Sequence, residues 1–85
     1  MKKAYVLIAN ESGKEDFIIS HLKNIPSVTN AFGAFGTFDV ITKLESKDEQ
    51  NICHDIPYGI RKIQNIRTMI LLVEKSEITM TNKLE

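Results

Sequence analysis

The sequence contains little cysteine and no excess of charge of either sign. It has one cysteine, Cys53, and 11 basic residues against 11 acidic ones. A single cysteine cannot form a disulfide within the chain, and a domain without excess positive charge lacks the basic surface that neutralises the phosphates of DNA. No apolar run approaches the roughly 20 residues of a membrane-spanning helix, and no signal-peptide cleavage site precedes the first strand-like segment. We therefore expect a cytoplasmic protein that binds neither DNA nor a membrane directly.

The chain is also short. Its 85 residues are too few for two domains, and a domain of this size buries only about 60% of the surface that its unfolded chain exposes. We expect one domain over residues 1–75, stabilised by contacts with further copies. Residues 76–85 are interpreted as a C-terminal tail, because residues 79–85 show no repeating apolar pattern, and the final Leu84-Glu85 is compatible with a cloning remnant.

Hydrophobic periodicity predicts four strands and two helices. The strands are short runs rich in β-branched and aromatic residues. Each helix begins at an S-x-x-E capping box, Ser12-Gly13-Lys14-Glu15 or Ser46-Lys47-Asp48-Glu49, and continues with apolar residues at helical spacing. The predicted order is strand 1 (4–9), helix 1 (12–24), strand 2 (28–35), strand 3 (38–44), helix 2 (from 46) and strand 4 (68–75).

Each predicted helix has one apolar face. The positions expected in the core are Phe17, Ile18, Leu22 and Ile25 of helix 1, and Ile52, Ile56, Ile60 and Ile63 of helix 2. Pro26 ends helix 1 because its ring disfavours helical geometry in the residue before it. Pro57 lies inside helix 2, where it cannot donate to the carbonyl of Cys53, so a kink or a break with a restart is expected around residues 57–59.

The two halves of the sequence resemble each other. Residues 11–15 match residues 45–49, and residues 22–28 match residues 60–66, so a β-α-β unit occurs twice. Two such units joined by a hairpin give the ferredoxin-like βαββαβ sandwich. The predicted fold is therefore α+β, with a four-stranded antiparallel sheet and two helices on one face.

The sheet face without helices is predicted to be buried as well. In strand 1 both sets of alternating residues are apolar, with Tyr5 and Leu7 on one face and Val6 and Ile8 on the other. Strand 4 has the same property. The cover available to so short a chain is a second copy, so we expect a homodimer that packs sheet against sheet, as in the dimeric α/β barrel type.

Gly36-Thr37-Phe38-Asp39, at the tip of the predicted hairpin, is the candidate site. One interpretation is turn chemistry, in which the glycine adopts positive φ and Asp39 is a solvated polar residue. The other is a binding loop, in which the glycines let backbone amides approach a ligand and Asp39 accepts hydrogen bonds from an ammonium group. The two interpretations are compatible with each other.

Three segments occur in a characteristic order: Ala34-Phe35-Gly36-Thr37-Phe38-Asp39-Val40-Ile41, then Ile60-Arg61-Lys62-Ile63-Gln64-Asn65-Ile66, then Arg67-Thr68-Met69-Ile70-Leu71-Leu72-Val73. Together with the rest of residues 4–75, they resemble the effector-binding domain of the Lrp/AsnC family, also called the RAM domain (regulation of amino acid metabolism). That family has a Gly-x-Tyr-Asp motif after strand 2 and a threonine-bearing last strand. This chain has Phe38 in place of the tyrosine and Ile70 where a second threonine is common.

The resemblance implies sheet-to-sheet dimers, rings of dimers, and a small effector, commonly an amino acid, held between neighbouring dimers. In this role Asp39 either faces the effector or braces the loop. Full-length regulators of the family also carry an N-terminal helix-turn-helix domain, for which the sequence has no room before strand 1, so the chain is similar to a stand-alone form. The implied ligand-binding residues are Phe35, Gly36, Thr37, Phe38, Asp39 and Thr68.

Other chemistry has little support in the sequence. Cys53 and His54 are neighbours that point in different directions on a helix, and His21 lies in the other helix, so no metal site and no cofactor are expected. No histidine and acid pair accompanies Cys53 as it would accompany a catalytic nucleophile.

Three functions therefore stand as alternatives. The leading hypothesis is a domain that is not an enzyme, that senses an amino acid or a related metabolite at oligomer interfaces, and that modulates full-length Lrp/AsnC transcription regulators by co-assembly. The second is a small dimeric α/β-barrel enzyme of the monooxygenase or isomerase type, which shares the fold and would need an interior pocket lined by His21 or His54. The third is a pure oligomerisation adaptor.

Overall fold

The computed structural model describes residues 1–75, which form one four-stranded sheet with its helices packed on one side. The elements along the chain are β1 (Lys2–Asn10), α1 (Glu15–Leu22), β2 (Val28–Gly33), β3 (Val40–Ser46), a π-helical segment (Asn51–Asp55), α2 (Ile56–Arg61) and β4 (Ile66–Val73). The strand order is β2-β3-β1-β4, and each neighbouring pair is antiparallel. The predicted ferredoxin-like α+β fold is confirmed. The tail predicted for residues 76–85 lies outside the described residues.

The core lies between the sheet and the helices. In β1, Ala4, Val6 and Ile8 are fully buried, whereas the residues between them are only partly buried. β3 shows the same two-residue alternation, as expected for strands with one face on a core. The buried hydrophobic residues are Ala4, Val6, Ile8, Ile18, Leu22, Ala31, Val40, Leu44, Ile52 and Ile60.

The predicted apolar helix faces are confirmed with one exception. Ile18 and Leu22 of α1 are fully buried, but Phe17 is 37% exposed. The Phe17 ring lies against the ring of His21, with centroids 4.3 Å apart, and Ile19 packs against the core instead. The core side of α1 is therefore centred on Ile18 and Leu22, which turns Phe17 towards solvent. The other expected positions contact or belong to the core: Ile25, Ile52, Ile56, Ile60 and Ile63.

The first capping box does not cap α1. The helix begins at Glu15, and Lys14 at its N-cap position makes no side-chain cap hydrogen bond. Gly13 has a φ of +79°, a left-handed conformation that glycine adopts readily. Ser12 therefore sits in a turn that precedes the helix, and the predicted start at residue 12 is wrong by three residues.

The second capping box is shifted in a similar way. Ser46 is the last residue of β3, and its Oγ accepts a hydrogen bond from the backbone N–H of Asp48 at 3.1 Å. Asp48 Oδ1 in turn accepts a hydrogen bond from the backbone N–H of Gln50 at 2.9 Å. Helical residues start at position 49, so Asp48, an equally good N-cap residue, caps the helix in place of Ser46.

Pro57 changes the hydrogen-bond pattern of the second helix without ending it. Residues 49–61 are helical throughout, but Asn51–Asp55 is π-helical. The backbone N–H of Ile56 donates to the carbonyl of Asn51, five residues back. Pro57 then lies in the first turn of α2, directly after the π segment. The expected break and restart thus takes the form of a π segment that passes into an α-helix.

The connection between β2 and β3 is longer than predicted. β2 ends at Gly33 and β3 begins at Val40, so residues 34–39 form a loop, and the predicted strand ends at 35 and 38 belong to it. Gly36 in this loop has a φ of +135°, a conformation that does not occur in a regular strand. β4 also begins and ends two residues earlier than predicted.

Candidate functional site

The loop of residues 34–39 is held at its base by backbone hydrogen bonds. Ala34 N donates to the carbonyl of Asp39, and Asp39 N donates to the carbonyl of Ile8, both at 2.8 Å. The first bond closes the loop, and the second ties it to β1, a central strand of the sheet. Gly36 supplies the positive φ that the chain reversal between these anchors requires. The loop therefore has a defined conformation that is fixed to the sheet.

A side-chain hydrogen bond adds a further anchor. Asp39 Oδ2 accepts a hydrogen bond from the backbone N–H of Asn10 at 2.9 Å. The register of β1 against β4 shifts between Ala9 and Asn10, and the carboxylate pairs with the amide at this point. Hydrogen bonds from an N–H group to a carboxylate are stronger than neutral ones. Asp39 therefore braces the loop, while its contact with an effector stays a prediction.

Asn10 is a residue of this site that sequence reasoning did not reveal. Its side chain is 3% exposed, its Nδ2 donates to the carbonyl of Glu11 at 2.7 Å, and its Oδ1 has no hydrogen-bond partner within residues 1–75. The sequence does contain one indication of its role. Asn10 continues the two-residue spacing of Val6 and Ile8, so a polar side chain lies on the buried face of β1, where polar groups need hydrogen-bond partners. The end of β1 beside Asp39 is thus a polar position at the margin of the core.

The tip of the loop is exposed to solvent. Phe35 is fully exposed, and Gly36 and Thr37 are exposed beside it. Phe38 and Asp39 are half-buried at the base of the loop. Five of the six predicted ligand-binding residues therefore lie together, with an aromatic ring presented outward and a carboxylate held inward.

Thr68, the sixth predicted residue, lies on a different strand. It pairs with Ala9 of β1 and is exposed. Asp39 is anchored to Ile8 and Asn10 on the other side of β1. Thr68 and the loop therefore flank the same end of β1 from opposite sides.

The sheet face away from the helices is uncovered within residues 1–75. We call it the open face and define it by two rows of paired residues that cross all four strands: Phe32, Ile41, Leu7 and Ile70, and then Asn30, Lys43, Tyr5 and Leu72. Phe32, Ile70 and Leu72 are 47%, 40% and 50% exposed. The open face thus presents a continuous apolar band to solvent, of the kind that marks interaction surfaces.

A groove lies between α2 and β4, and we call it the α2–β4 groove. It is open to solvent, has a volume of about 220 Å³, and is lined by Cys53, His54, Pro57, Tyr58, Arg61, Met69 and Leu71. Lys62 Nζ lies 4.5 Å from the centroid of the Tyr58 ring beside it. The groove is a surface feature and differs from the interior pocket that the enzyme alternative requires.

The histidines lie apart and have local contacts. His21 Nδ1 is 2.9 Å from the carbonyl oxygen of Phe17, and His54 Nδ1 is 3.6 Å from Asp55 Oδ1. Within residues 1–75 no group of three or more His, Cys, Asp or Glu side chains is placed to hold a metal ion. None of the helices in the same part of the chain is long and apolar enough to cross a membrane.

The chain has curated relatives of one kind. It is 26% identical over 78 residues to the HTH-type transcriptional regulator FL11 of Pyrococcus furiosus and 24% identical over 78 residues to FL11 of Pyrococcus horikoshii. Each match covers 89% of this chain and 52% of the regulator, so the chain spans about half the length of the curated relatives it matches. No protein-family model matches the chain.

Solved structures of the same fold include whole chains and parts of longer ones. The structure of FFRP-DM1 matches with a TM-score of 0.80 and 27% identity, over 88% of this chain and 100% of that one. AsnC of E. coli matches with a TM-score of 0.75 and 16% identity, over 92% of this chain and 54% of AsnC. The transcriptional regulator NMB0573 of Neisseria meningitidis, solved as a complex with L-Met, matches with a TM-score of 0.72 and 17% identity, over 99% of this chain and 56% of that one.

The chain is an α+β domain whose fold also occurs in parts of longer transcription regulators, and its curated relatives are named as transcriptional regulators. The resemblance to the effector-binding domain of the Lrp/AsnC family is thereby confirmed.

Proposed function

We propose that the chain is an effector-binding and assembly domain that senses an amino acid or a related metabolite and modulates Lrp/AsnC transcription regulators by co-assembly. The observation that carries the proposal is the loop of residues 34–39, which presents exposed backbone at its tip and is tied to β1 through Asp39. Because its curated relatives are named as transcriptional regulators, the location we propose is the cytoplasm.

The open face supports assembly. Its central row, from Phe32 through Ile41 and Leu7 to Ile70, is apolar on every strand. Exposed apolar area costs about 25 cal/mol per Å² relative to burial, and a second copy offers the same band as a complementary surface. Two copies related by a two-fold axis would bury both bands at once. We propose a homodimer through this face, from which rings of dimers are built.

The loop supports binding of a small effector. Gly36 and Thr37 leave their backbone groups exposed, and backbone groups of this kind bind the polar ends of small ligands. NMB0573, which shares the fold, was solved with L-Met, and an amino acid is the ligand class we propose here. Phe38 has no hydroxyl group, so the polar contacts would come from the backbone, from Asp39 and from Thr68.

Sensing and assembly are connected by linkage. A ligand that binds one oligomeric form better than another shifts the population towards that form, by no more than its difference in affinity. A mixed oligomer with a full-length regulator is subject to the same rule. The chain would then alter a regulator by taking the place of a matching domain in its oligomer.

The direct test is a thermal-shift and calorimetric screen of the twenty amino acids, combined with measurement of oligomer mass by light scattering. We expect at least one amino acid to raise the melting temperature and to change the mass. Thr68→Ala should weaken its binding by about tenfold, whereas Thr29→Ala, an exposed threonine on β2, should not. If no amino acid has any effect, the sensing function is wrong and assembly alone stands.

Co-assembly needs its own experiment. The chain and a full-length Lrp/AsnC regulator of the same cell would be mixed, dissociated by dilution, concentrated again and examined by native mass spectrometry. We expect oligomers that contain both proteins. Separate homo-oligomers at every mixing ratio would show that co-assembly does not occur.

A further inference from the structure

Phe35 is presented in an unusual way. Three of the four phenylalanines of the chain lie between residues 32 and 38, and Phe35 is the one that is fully exposed. The loop that carries it is closed by the bond from Ala34 to Asp39 and tied to β1. An aromatic side chain on an already ordered loop loses little conformational entropy on binding, which is typical of the residues that dominate protein interfaces.

The α2–β4 groove has the size and polarity to receive such a side chain. Its volume of about 220 Å³ is below the roughly 300–1,000 Å³ of pockets for drug-sized ligands, so it suits one side chain better than a larger molecule. Pro57, Met69 and Leu71 are apolar, and Tyr58 adds an aromatic ring. A second aromatic ring packed against Tyr58 is stabilised beyond the apolar area that it buries.

The two features do not meet within one copy of the chain. The loop is carried by β2 and β3 at one side of the sheet, whereas β4, which borders the groove, is the edge strand at the other side. Phe35 touches nothing in its own copy, since it is fully exposed. The occupant that the chain itself supplies for the groove is therefore the loop of another copy.

The charges of the two surfaces are complementary. Asp39 is the one charged residue in the loop of residues 34–39. Among the groove residues, Arg61 is the one with a permanent charge, and it is positive. Asp39 is held inward at the base of the loop by the Asn10 N–H, so it gives the loop a net negative charge without pairing directly with Arg61. This net charge favours a loop against a groove over two loops that face each other with like charges.

We propose that Phe35 of one copy inserts into the α2–β4 groove of another copy. The contact deepens the assembly function proposed above and rests on it. Each copy supplies a loop to one neighbour and a groove to another, so the interface is heterologous and propagates or closes into a ring. The open face, in contrast, pairs two identical surfaces. The two contacts together would join dimers into larger assemblies, and the loop that binds the effector would itself lie in the contact.

Cys53 makes the proposal testable, because the native cysteine of the chain lines the groove and is exposed. In Thr37→Cys, which keeps Phe35 and places a cysteine at another exposed position of the same loop, oxidation or a short thiol-specific cross-linker should join the new cysteine of one copy to Cys53 of the next. We expect a ladder of covalent species with three or more copies on a non-reducing gel. The ladder should disappear in Thr37→Cys/Cys53→Ser. Thr29→Cys, which places a cysteine at another exposed position, should give no ladder above the level of random collision.

Two outcomes of the cross-linking would overturn the proposal. The first is a covalent dimer, and nothing larger, that survives in Thr37→Cys/Cys53→Ser, because it would place two loops against each other. The second is cross-linking of Thr37→Cys no greater than that of Thr29→Cys. The cross-linking result does not depend on the dimer through the open face. If the protein sediments as a monomer but still gives the ladder, the open-face dimer is wrong and the contact between the loop and the groove is supported.

Mass measurements give a second test that does not need cross-linking. Phe35→Ala should reduce assemblies larger than the dimer to the dimer and leave the far-UV circular dichroism spectrum unchanged, because the side chain is fully exposed in its own copy. Phe17→Ala, which removes a second exposed phenylalanine on α1, should leave the mass unchanged. An unaltered mass for Phe35→Ala would contradict the insertion.

Discussion

The backbone N–H of Asn10 donates to Asp39 Oδ2 at 2.9 Å, between residues 29 positions apart in the chain. The bond joins the end of β1 to the base of the loop that carries the candidate site. β1 also contributes Tyr5 and Leu7 to the open face. The loop and the open face therefore share one strand, which provides a short physical connection between the proposed effector site and the proposed dimer interface.

Replacement of Asp39 tests the brace. Asp39→Ala would leave the Asn10 N–H without its partner in a residue that is 3% exposed, at an expected cost of about 1–3 kcal/mol in the free energy of unfolding. Asp39→Asn keeps an acceptor oxygen and should cost less. Urea unfolding of both variants measures the difference. Equal losses would mean that the hydrogen bond does not stabilise the loop.

Thr42 offers a stabilising substitution. Its side chain is fully buried among the core residues of β3, and its Oγ1 has no hydrogen-bond partner in residues 1–75. Thr42→Val keeps the shape and removes the desolvated hydroxyl, so we expect a gain of about 1 kcal/mol in the free energy of unfolding.

The control for Thr42 is Thr29→Val, in which the hydroxyl is exposed and lies 3.3 Å from the carbonyl of Lys43. This change should stay within about 0.5 kcal/mol of the original protein. A loss of stability in Thr42→Val would show that Oγ1 has a partner in solution, such as a buried water.

The two sides of α1 should respond differently to truncation. Leu22→Ala removes a fully buried side chain and should cost about 2–5 kcal/mol. Phe17→Ala removes a larger side chain that is 37% exposed and rests on His21, so it should cost less than about 1.5 kcal/mol. Thermal unfolding measures the loss of stability in each variant. A greater loss for Phe17→Ala than for Leu22→Ala would show that Phe17 belongs to the core.

The open face is tested by a charge at its centre. Ile70→Glu would place a carboxylate in the apolar row that also holds Leu7 and Ile41, and the dimer should weaken by at least tenfold, or about 1.4 kcal/mol. Ser20→Glu, at an exposed position of α1, should leave the dimer intact. Sedimentation at several concentrations measures both, and an unchanged dimer in Ile70→Glu would place the interface elsewhere.

The order of strands and helices could be predicted because the chain repeats a β-α-β unit and keeps clear periodicities. The helix starts could not. Gly13 adopts positive φ and delays the first helix, and Asp48 competes with Ser46 as a cap two residues away. A capping motif indicates which residues are able to cap a helix. Which of them caps it depends on the backbone conformation of the preceding turn.

The glycines around Phe35 were enough to select the loop as the candidate site. They did not predict the hydrogen bonds that hold the loop in place. The partner of Asp39 depends on the register of β1 against β3, and a bond across 29 positions leaves no local pattern. The α2–β4 groove was equally hidden, because it arises from the way Tyr58 and Arg61 of α2 lie over Met69 and Leu71 of β4.

The π-helical segment also explains how the second helix keeps a straight apolar stripe. Ile52, Ile56 and Ile60 are spaced by four residues, which is more than the 3.6 residues of an α-helical turn, so their side chains would drift progressively round a regular helix. A π turn holds more residues than an α turn, and the segment Asn51–Asp55 includes Ile52 and ends one residue before Ile56. It rotates the helix in the opposite sense and cancels the drift. Ile52 and Ile60 are both fully buried. The wide turn before Pro57 therefore keeps isoleucines spaced by four residues on the side of the helix that faces the sheet.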